Sequence, residues 1–118
     1  MFQVLDITQK DLIAIKVDGN NTKNDYDKIT PLIEKSVEKF GKIKFYVQLD
    51  NVKSITPTAF REDLKTYVKH FDDIDKIAVV GENAWQKLWS NLATPFVSGT
   101  VEYFSHEDIA EARNWIID

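Results

Sequence analysis

Ile77-Ala78-Val79-Val80-Gly81 is an unbroken apolar run, and it constrains the fold of this chain more than any other feature. A strand with one wet face alternates apolar and polar residues. A strand without alternation is covered on both faces, as happens at the centre of a parallel sheet flanked by helices. The run begins after Lys76, and Asn83 follows it in the position of a helix cap. The expectation is a layered α/β domain.

The flanking segments fill in that frame. Phe2–Ile7 and Leu12–Val17 are short β-rich runs separated by a polar stretch, which reads as an antiparallel hairpin. Tyr26, Ile29, Ile33, Val37 and Phe40 then recur at steps of three and four, the stripe of an amphipathic helix. Thr22 with Asp25 is its predicted cap and Gly41 its predicted stop. Pro31 lies inside it and predicts a kink or an irregular first half. Lys44–Leu49 is the next strand. Thr56 and Pro57 open a second helix that runs to about Phe71 and turns Phe60, Leu64, Tyr67, Val68 and Phe71 inward. A third helix follows from Asn83 to about Phe96, then a strand over Gly99–Phe104. A closing helix, capped by Ser105 with Asp108, places Ile109, Ala112 and Ile116 inward. The predicted order is β-β-α-β-α-β-α-β-α. This is one domain over residues 1–118, with a mixed, mostly parallel five-stranded sheet, an antiparallel edge and four helices.

Composition narrows the chemistry. There is no cysteine, which removes thiolate metal sites, disulfides and thiol nucleophiles. His70 and His106 stand in no metal-ligand spacing, and no G-x-S-x-G elbow occurs. Neighbouring carboxylates such as Glu62 and Asp63 diverge on a helix instead of sharing a proton. Neither catalytic nor metal-ligating residues are assigned, no cofactor is expected, and the chain is read as a non-enzyme. Residues 1–98 carry 14 basic and 14 acidic side chains, whereas the last twenty carry one against five. No basic face forms, which argues against nucleic acid. The N-terminal residues have neither a basic nor a long apolar region, and no apolar run approaches the roughly 20 residues that span a bilayer. The expected location is the cytoplasm.

Five stretches, in order, resemble bacterial SpoIIAA-like proteins, relatives of the STAS domains of anti-sigma-factor antagonists and sulfate transporters. They are Asp25-Tyr26 with Pro31; Gly41-Lys42-Ile43-Lys44; Arg61-Glu62-Asp63-Leu64-Lys65; Ile77-Ala78-Val79-Val80-Gly81 followed by Trp85; and Glu111-Ala112 with Trp115. The resemblance covers residues from about 10 to 117. It implies a STAS fold, more distantly similar to the lipid-binding CRAL-TRIO domains, and no catalytic machinery. Signalling STAS proteins carry a phosphorylatable serine in an Asp-Ser-Ser/Thr-Gly motif after the third strand. The corresponding segment here, Asp50 to Pro57, has hydroxyls on Ser54 and Thr56, with Thr58 just beyond, but lacks the motif's glycine and adjacent serines.

Ligands of open α/β sheets sit outside the carboxyl ends of the parallel strands, which selects Asp50, Asn51, Ser54 and Thr56 after the third strand. A turn shaped by Asp50 and Asn51 with Thr56 as a helix cap accounts for the same residues. Gly81 faces the same crevice and would let a backbone or ligand approach closely. Trp85 and Trp89, one turn apart on the third helix, are either core or the apolar face of a lid over a ligand or a membrane surface. The leading expectation is a STAS-type binding or regulatory module for a protein partner or small ligand. The alternative is a carrier or sensor of an apolar, lipid-like ligand with peripheral membrane contact through the tryptophan helix, and an unrecognised enzyme using Asp50 as a base comes third. The first two strands form an expected sheet edge that would support a homodimer unless Asp6, Asp11 and Lys16 guard it.

Overall fold

The computed structural model describes residues 2–18, 23–50, 62, 73–82 and 100–118. Five strands form one sheet in the order β1-β2-β3-β4-β5: β1 (Phe2–Val4), β2 (Leu12–Asp18), β3 (Ile43–Asp50), β4 (Ile74–Gly81) and β5 (Thr100–Ser105). β1 pairs antiparallel with β2, and the other three pairings are parallel. The mixed sheet with an antiparallel edge is therefore as the sequence predicts. Two α-helices are described, α1 (Lys23–Phe40) and α2 (Ile109–Ile117). Apart from Glu62, which is helical, the helices expected at 57–71 and 83–96, with the caps at Thr22, Thr56 and Asn83, lie outside the described residues.

The sheet separates two apolar layers. On one face Ile13, Ile15 and Val17 of β2, Phe45, Val47 and Leu49 of β3, and Ile77 and Val79 of β4 pack against Tyr26, Ile29 and Ile33 of α1. On the other, Leu12, Ala14, Tyr46, Ala78 and Val80 meet Ala112 and Ile116 of α2. The small side chains of Ala14, Ala78 and Ala112 let that short helix lie close to the strands. Ile77, Ala78, Val79 and Val80 are all fully buried, which is the physical reason their stretch of β4 shows no alternation. An irregularity sits at the start of β4: Ile43 is opposite Ile74 while Lys44 is opposite Lys76. Asp75 is the extra residue, and the resulting bulge turns both Ile74 and Ile77 toward the α1 face.

Some local expectations are corrected. β1 stops at Val4, short of the predicted Ile7, because the chain turns there. Leu5 N–H still donates to the Ala14 carbonyl, and the Thr8 hydroxyl accepts from Ala14 N–H and donates to its carbonyl, standing in for a strand neighbour. α1 is one continuous helix through the exposed Pro31, not irregular in its first half. It ends as expected at Gly41, whose φ of 81° is left-handed and whose N–H donates to the Val37 carbonyl. Phe40, predicted to face inward, is 42 % exposed, with the Lys39 ammonium 5.4 Å from its ring centroid. Position 40 is the last of the helix, beyond the reach of the sheet.

Ser105 and Asp108 do not form the expected capping box. The Ser105 hydroxyl donates to the Asp108 carboxylate at 3.2 Å across a 3-10 turn, His106–Asp108, and α2 begins only at Ile109 without a side-chain cap. At the other end of α2, Lys44 Nζ donates to the Ile117 carbonyl at 3.1 Å, and Lys76 lies 5.0 Å from the Trp115 ring centroid. Two lysines from the start of β3 and β4 thus meet the negative end of the α2 dipole. α2 runs opposite to the parallel strands, which brings its first turn to their carboxyl ends.

Candidate functional site

Alternation along β2 and β3 places Lys16, Gln48 and Asp50 on the α2 face, continuing the lines of Ala14 and Tyr46 beyond the part that apolar side chains cover. The face therefore changes from apolar to polar at the carboxyl ends of the strands. Asp50, the last residue of β3, is the centre of the polar part. Its Oδ2 lies 3.3 Å from Lys16 Nζ and its Oδ1 lies 3.2 Å from His106 Nε2. The same ring nitrogen is 2.9 Å from the Leu49 carbonyl. Side-chain exposures are 26 % for Asp50, 35 % for Lys16 and 38 % for His106, so all three remain in reach of a ligand. Such a part-exposed pair contributes little to stability, about 0.2–1 kcal/mol.

Deeper on the same face, the Tyr46 hydroxyl donates to Gln48 Oε1 at 3.0 Å, and the Arg113 guanidinium of α2 lies 6.0 Å from the Tyr46 ring centroid. Burial pushes the Tyr46 phenol above its usual pKa, Arg113 pulls against that rise, and the Asp50 carboxylate adds to it. Tyr46 stays protonated at neutral pH and acts as a donor to the Gln48 amide oxygen.

Gly81 ends β4 beside Ser105 of β5. The space next to it is filled by the phenol of Tyr103, which a Cβ at position 81 would strike. That close approach lets the Tyr103 hydroxyl donate to the Glu82 carbonyl at 3.0 Å and fix the first residue after the strand. Burial, reinforced by the Glu82 carboxylate, raises the Tyr103 pKa strongly, so this donor also keeps its proton.

Of the residues selected from the sequence, Asp50 and Gly81 are described and both stand at carboxyl ends of parallel strands. Asn51, Ser54, Thr56, Trp85 and Trp89 lie outside the described residues. Lys16 and His106 were not selected. Lys16 reads in sequence as a guard of the sheet edge, yet β2 is an interior strand and Lys16 points to Asp50. His106 stands alone in sequence and gains its meaning only from the parallel register that brings the end of β5 to the end of β3. A polar residue breaking an apolar strand near its carboxyl end is the signal that marks Lys16. Among the described residues no group of three His, Asp or Glu side chains could hold a metal ion, and no helix is long and apolar enough to cross a membrane.

The family model described as SpoIIAA-like matches residues 12–117. A crystal structure of an uncharacterized protein from the DUF3478 family with a SpoIIAA-like fold, from Shewanella loihica PV-4, is similar at 26 % sequence identity and a TM-score of 0.65. The match covers 98 % of this chain and 92 % of that one. No curated protein matches the chain.

Proposed function

The chain belongs to the SpoIIAA-like family, whose fold is of the STAS type, and from that premise we propose that it is a non-enzymatic binding module with a regulatory role. Its ligand or protein partner docks at the carboxyl ends of β2, β3 and β5, on Asp50 and the side chains around it. One observation carries this reading: β2, β3 and the turn that follows β5 deliver Lys16, Asp50 and His106 to one part-exposed point where the α2 face turns from apolar to polar. Open α/β sheets bind at that edge because the strand ends and the loops leaving them converge there. Asn51, Ser54 and Thr56 follow Asp50 in the chain and are proposed to take part in the binding, with Gly81 on the neighbouring strand.

The physical case for binding over catalysis is the wiring of the carboxylate. Asp50 is engaged on both oxygens, by Lys16 and by His106, so it is organised as a fixed recognition group and not as a base awaiting a proton. Native mass spectrometry of the chain purified without denaturant tests the proposal. The parent should retain a bound small molecule or protein partner, and Asp50→Ala should lose it while keeping the parent's circular dichroism spectrum. Equal retention by both chains would move the site elsewhere. A parent that carries nothing, and takes nothing from extract of its own host, would contradict the binding reading.

A further inference from the structure

The Asp50–His106 contact contains more information than a pairing. Both atoms that face His106 Nε2, the Leu49 carbonyl oxygen and Asp50 Oδ1, are acceptors. A ring nitrogen placed between two acceptors must carry the hydrogen, and a neutral imidazole has only one N–H. The lone pair of the neutral ring is therefore on Nδ1. Among the described residues nothing donates to Nδ1, and it is not one of the buried polar atoms that lack a partner. The His106 side chain as a whole is 38 % exposed.

We infer that His106 Nδ1 is the recognition atom of this site, an acceptor held outward by Asp50 and the Leu49 carbonyl, and that the group it receives is a hydrogen-bond donor: a hydroxyl, an amide N–H or an ammonium. This rests on the binding reading above and adds to it the chemistry of what is bound. Asp50 is then a positioning residue that acts through the ring, and Lys16 holds the second carboxylate oxygen so that the first stays on Nε2. The charges around the ring agree. The Asp50 carboxylate faces the ring, and Glu107 and Asp108 follow His106 on the 3-10 turn. An oxyanion arriving at Nδ1 would set lone pair against lone pair and charge against the Asp50 carboxylate. A donor meets neither obstacle, and an ammonium gains from the surrounding carboxylates.

Long-range proton–nitrogen NMR correlations of the full chain, recorded with the ring neutral, read the tautomer directly. Nε2 of His106 should resonate as a protonated, pyrrole-like nitrogen and Nδ1 as a bare, pyridine-like one; the opposite assignment overturns the inference. Titration with ethanolamine, which offers an ammonium and a hydroxyl, should move Nδ1 saturably toward the hydrogen-bonded range. Sodium acetate and sodium sulfate at equal ionic strength should not. Movement with the anions alone, or with no probe at all, refutes the donor assignment. Asp50→Leu should mix the tautomers and reduce the ethanolamine response, and Asp50→Asn, whose amide oxygen can still accept from Nε2, should restore it. A merely structural Asp50 would give no such rescue. If native mass spectrometry finds a bound species on the parent and His106→Ala retains it equally, the donor inference falls while the binding reading stands. If the parent carries no species and takes none from extract of its own host, the binding reading is the one that fails.

Discussion

Replacing Gly81 by alanine is a sharp test of how the end of β4 is built. The added Cβ would meet the Tyr103 hydroxyl oxygen well inside contact distance and would lie 3.1 Å from Cζ of the same ring. The phenol must swing aside, giving up its hydrogen bond to the Glu82 carbonyl, which is worth about 0.5–1.5 kcal/mol. Displacing a packed ring adds an overpacking cost of about 1–3 kcal/mol. Alanine recovers about 0.5–1 kcal/mol by restricting the unfolded chain. The net expectation is a loss of about 2 kcal/mol. Tyr103→Phe removes only the hydroxyl and should cost about 1 kcal/mol. In the double variant the atom that clashes is gone and the ring need give only a few tenths of an ångström, so the double variant should be no less stable than Gly81→Ala alone. Urea unfolding of all four chains, with unchanged m-values, gives the coupling. Additive losses, within about 0.5 kcal/mol, would refute the contact on which the reasoning depends.

Other outcomes follow from the same contacts. Both described phenols with displaced pKa, Tyr46 and Tyr103, are raised chiefly by burial. The unfolded chain therefore releases their protons first, and stability present below about pH 10 should decline as pH rises past the ordinary phenol value. Tyr103→Phe should flatten that alkaline decline in thermal melts; an unchanged slope would contradict it. Asp50→Ala should cost less than about 1 kcal/mol in urea unfolding, since its contacts with Lys16 and His106 are part-exposed. A loss above about 3 kcal/mol would show instead that Asp50 is a structural keystone. Lys44→Met should destabilise by about 0.3–1 kcal/mol through the carboxyl end of α2, and hydrogen exchange should quicken at residues 114–118 and not in α1. Equal acceleration in both helices would refute a local role.

The sheet was legible because burial on two faces writes itself into composition. Ile77 to Val80 could belong to little else than a central strand, and the Tyr26, Ile29, Ile33 stripe could only turn toward a core. Gly41 was legible for a backbone reason, since the positive φ at a helix end selects glycine. The bulge at Asp75 was not, because one extra residue opposite Ile43 and Lys44 leaves no compositional trace. Nor was the exposure of Phe40, where periodicity carries on one residue further than the sheet beneath it. For the candidate site, Asp50 was selected by topology, from the rule that ligands gather at carboxyl strand ends. Lys16 and His106 were not, because their meaning comes from parallel register across residues distant in sequence. Gly81 was selected as a place where a backbone or ligand would approach, and the group beside it is a side chain of the protein itself, Tyr103.

The proposed recognition surface is the α2 face at the carboxyl ends of the strands, around Asp50. Hydrogen exchange read by mass spectrometry, on the chain with its co-purified partner or ligand and on the same chain stripped by unfolding and refolding, tests this most directly. Binding should slow exchange in peptides covering residues 48–50 and 104–108 and leave the α1 peptides 26–38 unchanged. Protection confined to α1 and the opposite face, with residues 48–50 and 104–108 unaffected, would contradict it.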